Sequence, residues 1–426
     1  MKYILILVTI TMLLFQSCKD GKRGEDSIVL SDSTQAASCA LFTTNNKGDL
    51  VISWCEKNQS GNKKFYFSEF DKTSNRFSNK NSIPIEPNAS LHEEGMPKVA
   101  FKNDGTIIAV FETSEPTEKN RFAGNIKYLQ SFDNGINWSS PTCLHADTSV
   151  GLSHSFASIC RLSNGEIGAC WLDESFGTNK MGRSVKFSNT IGRAGFKNEK
   201  IIDSFACQCC KTSLSCDSDG KVSILFRDLV SDTIRDVSIC NSFNNGSTFS
   251  KAYSFTNDNW AINGCPHNGP SVICNNGTSY VTWYTGGNKA GLYYASLNND
   301  NKKTDFEKVT NSGKNIQLCL MPNGDKIIVY NVIENIDGAI YSKIAIHKIS
   351  KEHTYTSDIT SKYANASYPL VHAIDNDRLI VAWQSKNIIY YKLIESKDIN
   401  EMKNNMIQAS NFSQTVPAKC CNMKHE

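Results

Sequence analysis

The sequence predicts an all-β fold, a β-propeller of seven blades, and three observations carry that prediction. The chain has 426 residues, more than a single sandwich or three-layer domain holds unless a repeat is present. A unit does repeat: a short alternating strand, a turn of Asn or Asp followed by Gly, then a second strand ending in an aromatic residue. Turns of this type set positive φ between antiparallel strands, and a period near 50 residues with about four short strands per unit is that of propeller blades.

The copies run in order. They read Thr44-Asn45-Asn46-Lys47-Gly48 to Trp54, Asn103-Asp104-Gly105 to Phe111, Ser163-Asn164-Gly165 to Trp171, and Asp217-Ser218-Asp219-Gly220 to Phe226. The pattern returns at Asn275-Asn276-Gly277 to Trp283, at Pro322-Asn323-Gly324 to Tyr330, and in weaker form at Asp375-Asn376-Asp377 to Trp383. The six glycines are 57, 60, 55, 57 and 47 residues apart. Seven copies fit between Cys39 and Tyr391, with six blades the alternative if the first or last is irregular. The last copy lacks an obvious fourth strand, and Ser27-Ile28-Val29-Leu30 is the candidate to supply it and remove an exposed edge.

Composition narrows the function classes. Lys and Arg total 45 against 42 Asp and Glu, so a net charge of +3 gives no broad attraction to nucleic acid. Residues Met1 to Ser17 have Lys2, an apolar run from Ile4 to Phe15 and a small Ser17 before Cys18, the plan of a secretory signal. Leu14-Phe15-Gln16-Ser17-Cys18 resembles a bacterial lipobox, which implies lipidation of Cys18 and a place in the bacterial cell envelope, periplasmic or surface-exposed; a plain signal peptide cleaved elsewhere is the alternative. The expected division is 1–18 signal peptide, 19–35 tether with the candidate ring-closing strand, 36–396 propeller and 397–426 C-terminal tail. A monomer is expected, held to the membrane by lipid alone.

The chain has 16 cysteines, and giving Cys18 to lipid leaves an odd number that cannot all pair internally. Those inside apolar strand patterns, such as Cys160 and Cys170, read as small buried hydrophobes.

Ser131-Phe132-Asp133-Asn134-Gly135-Ile136-Asn137-Trp138 matches S-x-D-x-G-x-x-W, and Ser242-Phe243-Asn244-Asn245-Gly246-Ser247-Thr248-Phe249 is a degenerate copy two blades on. These segments resemble the Asp-box, or BNR repeat, of the sialidase superfamily. The resemblance implies a turn between third and fourth strands in which Asp caps backbone amides, Gly is left-handed and Trp packs beneath. That turn lies on the face away from the usual site.

In a propeller, residues just before a first strand or just after a second converge on one funnel. Before the first strands stand His92-Glu93-Glu94-Gly95-Met96-Pro97, Ser153-His154-Ser155-Phe156, Cys207-Gln208-Cys209-Cys210-Lys211-Thr212 and Gly264-Cys265-Pro266-His267-Asn268-Gly269-Pro270. After the second strands stand Glu112, Asp173-Glu174, Arg227-Asp228 with Arg235-Asp236 across the loop, and Tyr284. The C-x-C-C, paired R-D and G-C-P-x-N-G-P segments resemble a group of bacterial sialidase-like proteins. Characterised sialidases use three arginines, a Tyr–Glu nucleophile and an Asp, an exception to two-carboxylate hydrolysis; their R-I-P motif is absent, and Met96-Pro97-Lys98 stands at the comparable strand opening.

Two function classes follow. The first is a glycan-binding or glycan-hydrolysing protein, with sialosides among the candidate substrates and no cofactor expected. Asp228, Asp236 and Tyr284 are its candidate catalytic groups, and Arg227, Arg235, Asn268 and His154 its candidate substrate ligands; Arg183 and Tyr368 are further candidates near the channel. Salt bridging within the loop is the plainer role for the arginines. The second class centres on Cys207, Cys209, Cys210 and Cys265. In an extended strand Cys207 and Cys209 share one side and Cys210 faces the other. A disulfide from this segment to Cys265 suits an oxidising compartment. With His267, Cys207, Cys209 and Cys265 also offer a soft-ligand set for copper or zinc.

Overall fold

The computed structural model describes residues 27–174 and 182–401. The lipidation candidate Cys18 and the tail beyond residue 401 lie outside them. The strands form seven antiparallel sheets, each the blade of a propeller.

Five blades are built in chain order from four consecutive strands, and blade 1 has five, Ala36–Thr44, Leu50–Lys57, Lys63–Asp71 and the short Arg76–Phe77 and Asn81–Ile83, both paired to the third. Blade 2 is Lys98–Phe101, Ile107–Ser114, Gly124–Ser131 and Thr142–Cys143; blade 3 is His154–Arg161, Ile167–Asp173, Arg183–Thr190 and Phe196–Ala206. Blade 4 is Ser213–Cys216, Val222–Arg227, Val237–Ser242 and Tyr253–Ser254. The seventh blade takes its outer strand from the other end of the chain: Ile28 pairs with Tyr391 and Val29 with Tyr390. This closure ties the N-terminal segment to the last blade through backbone hydrogen bonds and covers part of the edge of Ile388–Glu395. A short helix, Ser396–Glu401, follows the last strand.

The core is divided among the gaps between neighbouring blades. Ile52, Trp54 and Tyr66 of blade 1 pack on Leu370, Ile380 and Tyr391 of blade 7. Ala169 and Trp171 of blade 3 pack on Ile108, Val110 and Tyr128 of blade 2. Middle strands are covered on both faces, so Ile167–Asp173 is buried at every position and shows no alternation. Cys170 is 0% exposed within the gap between blades 3 and 4, and Cys160 packs against the same cluster.

Local chemistry fixes the bottom face. Asn45 Oδ1 accepts the amides of Lys47 and Asp49 at 2.9 Å each, and Gly48 sits at φ +85°. The Asp-box turn follows Gly124–Ser131: Asp133 Oδ1 accepts the Asn137 amide at 2.8 Å, Gly135 has φ +86°, and Trp138 Nε1 donates to the Gly135 carbonyl at 3.1 Å. The degenerate copy repeats the geometry with Asn244 Oδ1 accepting the Thr248 amide at 2.9 Å and Gly246 at φ +79°.

Candidate functional site

At the top of the innermost strands the ladder breaks in a regular way. Cys39 and Ala40 together oppose one residue, Trp54; Phe156 and Ala157 oppose Trp171; Tyr368 and Pro369 oppose Trp383. These are β-bulges, and their first residues lie at positive φ: Cys39 at 59°, Phe156 at 59° and Tyr368 at 52°. Bulky side chains adopt such torsions only where surrounding structure imposes them. In these three blades the aromatic residue that marks the sequence repeat is therefore the partner of a bulge. The recurring Ser38-Cys39-Ala40, Ser155-Phe156-Ala157 and Ser367-Tyr368-Pro369 is the sequence signal by which these positions could have been found.

Two of the bulges present amides that carboxylates of blade 2 and the segment before it accept. Glu93 Oε1 accepts the Cys39 amide at 3.0 Å, and Glu112 Oε1 accepts the Ala157 amide at 3.3 Å. Glu94 Oε2 accepts the Lys211 amide at 3.2 Å, and His92 Nδ1 accepts the Glu94 amide at 3.2 Å. Burial pushes the Glu93 carboxyl up to about 7. Burial likewise pushes Glu112 up and Lys98 down, while their opposite charges oppose both shifts. Glu93 Oε2 is sealed from solvent with no partner. Burial raises the Tyr368 phenol, and the charges of Glu93 and Glu94 add to the rise.

Of these groups Glu94, Lys98 and Lys211 line the central channel, a cavity of about 290 Å³ whose lining also includes Met96 and Pro270. Arg183 reaches the same region: Nη1 donates to Ser155 Oγ at 2.7 Å, Nη2 is 3.6 Å from Glu174 Oε1, and Nε has no partner. Loops of four blades meet over the mouth. The His92 ring lies 6.3 Å from Phe156 and 6.0 Å from His267.

The paired R-D segment does different work from that expected. Arg227 is 1% exposed and donates to three backbone carbonyls, those of Arg235 at 2.6 Å, Asn268 at 2.8 Å and Tyr284 at 3.0 Å. Its guanidinium also lies 4.8 Å from the Trp260 ring. It ties blade 4 to blade 5 and is removed from the substrate-binding set. Asp236 accepts the amides of Asn259 and Trp260 at 3.1 and 3.2 Å, and Asp228 accepts from Ser238 Oγ at 2.7 Å and from the Leu229 amide at 2.8 Å. Both carboxylates are engaged in holding loops. Tyr284 packs edge-on against Trp260 at 5.6 Å, and burial raises its phenol. Arg235 differs: Nη1 makes one long contact to the Asp232 carbonyl at 3.4 Å, and Nε is buried without a partner.

His154 is also corrected. Its side chain is 0% exposed, its Nδ1 is 2.8 Å from Asp173 Oδ2, and its ring stacks at 3.6 Å on His145. It belongs to a polar network between blades 2 and 3. Asn268 is 3% exposed, with its carbonyl bound to Arg227 and its Oδ1 sealed without a partner.

The cysteines do gather. Residues 207–210 form a turn rather than an extended strand, so the alternation that would send Cys210 to the opposite side does not apply. The Sγ atoms of Cys207, Cys209 and Cys210 lie within 4.8 Å of one another, as do the ligand atoms of Cys209, Cys265 and His267. Every cysteine among the described residues is an unbridged thiol, so no Cys265 disulfide is present in that set. Hydrogen bonds from Cys209 and then Cys210 hold the Cys207 thiol down to about 3, and the same contacts push Cys209 up.

Comparison with known proteins agrees with this architecture. The family model of the BNR repeat-like domain matches residues 48–371. A polysaccharide lyase structure aligns over 90% of this chain and 94% of its own at 10% identity, with a TM-score of 0.52. A PL25 ulvan lyase, described as a new family of polysaccharide lyase, aligns over 88% and 98% at 11% identity, with a TM-score of 0.51. A Hadza microbial sialidase aligns over 79% and 74% at 12% identity, with a TM-score of 0.45. No curated protein matches the chain. With the family model covering most of the propeller, the chain belongs to the BNR repeat-like family and is a sialidase-like seven-bladed propeller.

Proposed function

We propose that the protein is a lipid-anchored envelope propeller, monomeric, that binds and cleaves an acidic glycan at the top-face mouth of its central channel. One observation supports the reading most: basic Lys98, Lys211, Arg183 and Arg235 share the top face with half-buried Glu93 and buried Glu112. A sugar carboxylate would find a guanidinium able to grip it in two-point fashion, the strongest orienting contact for that group. Glu93, with its carboxyl near neutrality, is suited to give or take a proton at physiological pH. Tyr368 beside it supplies a hydroxyl within the same field. The polysaccharide lyases among the structural neighbours support a glycan as the substrate class.

The test is incubation of the full chain with aryl sialosides, with uronate-containing polysaccharides and with neutral polysaccharides. Release of reducing ends or of unsaturated uronate products is followed by absorbance. Cleavage confined to the acidic substrates, and weakened at least tenfold by Arg235→Ala, is expected. Equal affinity for neutral glycans, or no cleavage of any acidic one, would overturn the proposal. For the anchor, Cys18→Ser should move the protein into the soluble fraction; a wild-type mass without lipid would refute it.

A further inference from the structure

The glycan reading leaves the thiol cluster unused. We propose that Cys207, Cys209, Cys210 and Cys265, with His267 beside them, form a centre for one thiophilic d10 cation, Zn2+ or Cu+. Geometry is the first argument. Ligands about 2.3 Å from a tetrahedral zinc stand about 3.8 Å apart, and the Cys207 and Cys209 sulfurs are 3.6 Å apart. The Cys210 sulfur lies within 4.8 Å of both. Cys209 also belongs to the group with Cys265 and His267, so an ion seated beside it has a fourth ligand from blade 5.

Ligand type is the second argument. The set holds thiols and one imidazole and no carboxylate, which selects soft cations over magnesium or calcium. The third is charge. Several thiolates around one cation leave a net negative charge, which is costly in a buried place unless compensated. Compensation is built in: the Arg235 charge reaches Cys207, Arg227 reaches Cys210, and Arg183 and Arg235 both reach Cys265. On binding, each ligating thiol releases its proton to solvent. The centre would join blade 4 to blade 5 beside the carbonyl contacts of Arg227, and it would do so without an oxidant, which a disulfide requires.

The experiment uses the full chain purified under reductant, loaded with Zn2+ or with Cu+ in separate arms, desalted, and measured by elemental analysis and X-ray absorption. One equivalent of metal with a sulfur-dominated shell is expected. The arm that survives competition by a chelator names the ion. Cys209→Ser should abolish retention. Cys265→Ser, at a half-buried position, should weaken it at least tenfold and reads the same contact if Cys209→Ser fails to fold. Cys143→Ser, outside the cluster, should retain a full equivalent. Less than a tenth of an equivalent in both arms, equal retention by Cys265→Ser and wild type, or a mass 2 Da low from a bridge within the cluster would overturn the proposal. Metal content and glycan cleavage are separate measurements, so either reading can fail alone.

Discussion

The two faces of the propeller are stabilised by interactions of different range. On the bottom face the turns are held within themselves: between first and second strands Asn45 satisfies amides two and four residues away, and in the Asp-box, between third and fourth strands, Asp133 satisfies the amide four residues away. On the top face almost every key contact joins residues far apart in the chain. Glu93 reaches Cys39, Glu94 reaches Lys211, and Arg227 reaches Asn268 and Tyr284. Glycine shows the same contrast. Gly48 has φ +85° with open space around it, so torsion alone requires it; Gly269 has an ordinary torsion, but a Cβ there would lie 2.5 Å from the Lys211 carbonyl oxygen. Local turn chemistry therefore sets one face, and close approach of separate blades sets the other.

Six substitutions would break or sharpen that contrast. The largest effect is expected at Arg227. Replacing it by Met leaves three buried carbonyls without donors, at a cost of about 3–5 kcal/mol in stability. Denaturant unfolding should show the loss; a variant as stable as wild type but unable to bind glycan would mean that Arg227 serves the substrate after all.

The next effect is pH-dependent. The Glu93 carboxyl, at about 7 in the folded chain against an ordinary value of 4.5, binds its proton more tightly folded than unfolded. Stability from this group is therefore present below pH 4.5 and is lost as pH rises through 7. Glu93→Gln should remove up to about 3 kcal/mol of that slope between pH 5 and pH 8. Parallel pH profiles for variant and wild type would count against it.

At the glycines, Gly269→Ala should cost about 2–3 kcal/mol, because backbone of another blade must shift. Gly48→Ala should cost about 1 kcal/mol from torsion alone, and Gly48→Asn less, since Asn tolerates that conformation. Equal losses at both sites in thermal unfolding would erase the distinction between the faces. An effect comparable to that of Gly48→Ala is expected in the degenerate turn, where Asn244→Ala removes the cap on the Thr248 amide and should cost about 0.5–1 kcal/mol.

The repeat was legible because its signals are local. An Asn-Gly or Asp-Gly turn between alternating strands needs no distant partner to be recognised, and six glycine turns with a weaker seventh copy favoured the seven blades that the sheets form. The phase of that repeat also indicated which loops meet: His92, Phe156, Cys209 and His267 come from four blades and lie over one mouth. What each residue does there was not legible. The two R-D pairs read as substrate ligands and acids, yet Arg227 and Asp236 spend their hydrogen bonds on backbone of blade 5 and the loop before it. The spacing of Cys207, Cys209 and Cys210 suggested two sides of a strand, and the turn puts all three sulfurs together.

The sequence by itself determined the fold class, the period and the bottom-face turns, because those depend on torsions and hydrogen bonds within a few residues. Only the tertiary structure decided which side chains are free. Burial of Arg227, the bulges at Cys39, Phe156 and Tyr368, and the raised Glu93 carboxyl all arise where separate blades exclude water from one another. That exclusion depends on distances between residues 50 to 120 positions apart, a separation at which sequence spacing no longer constrains contact.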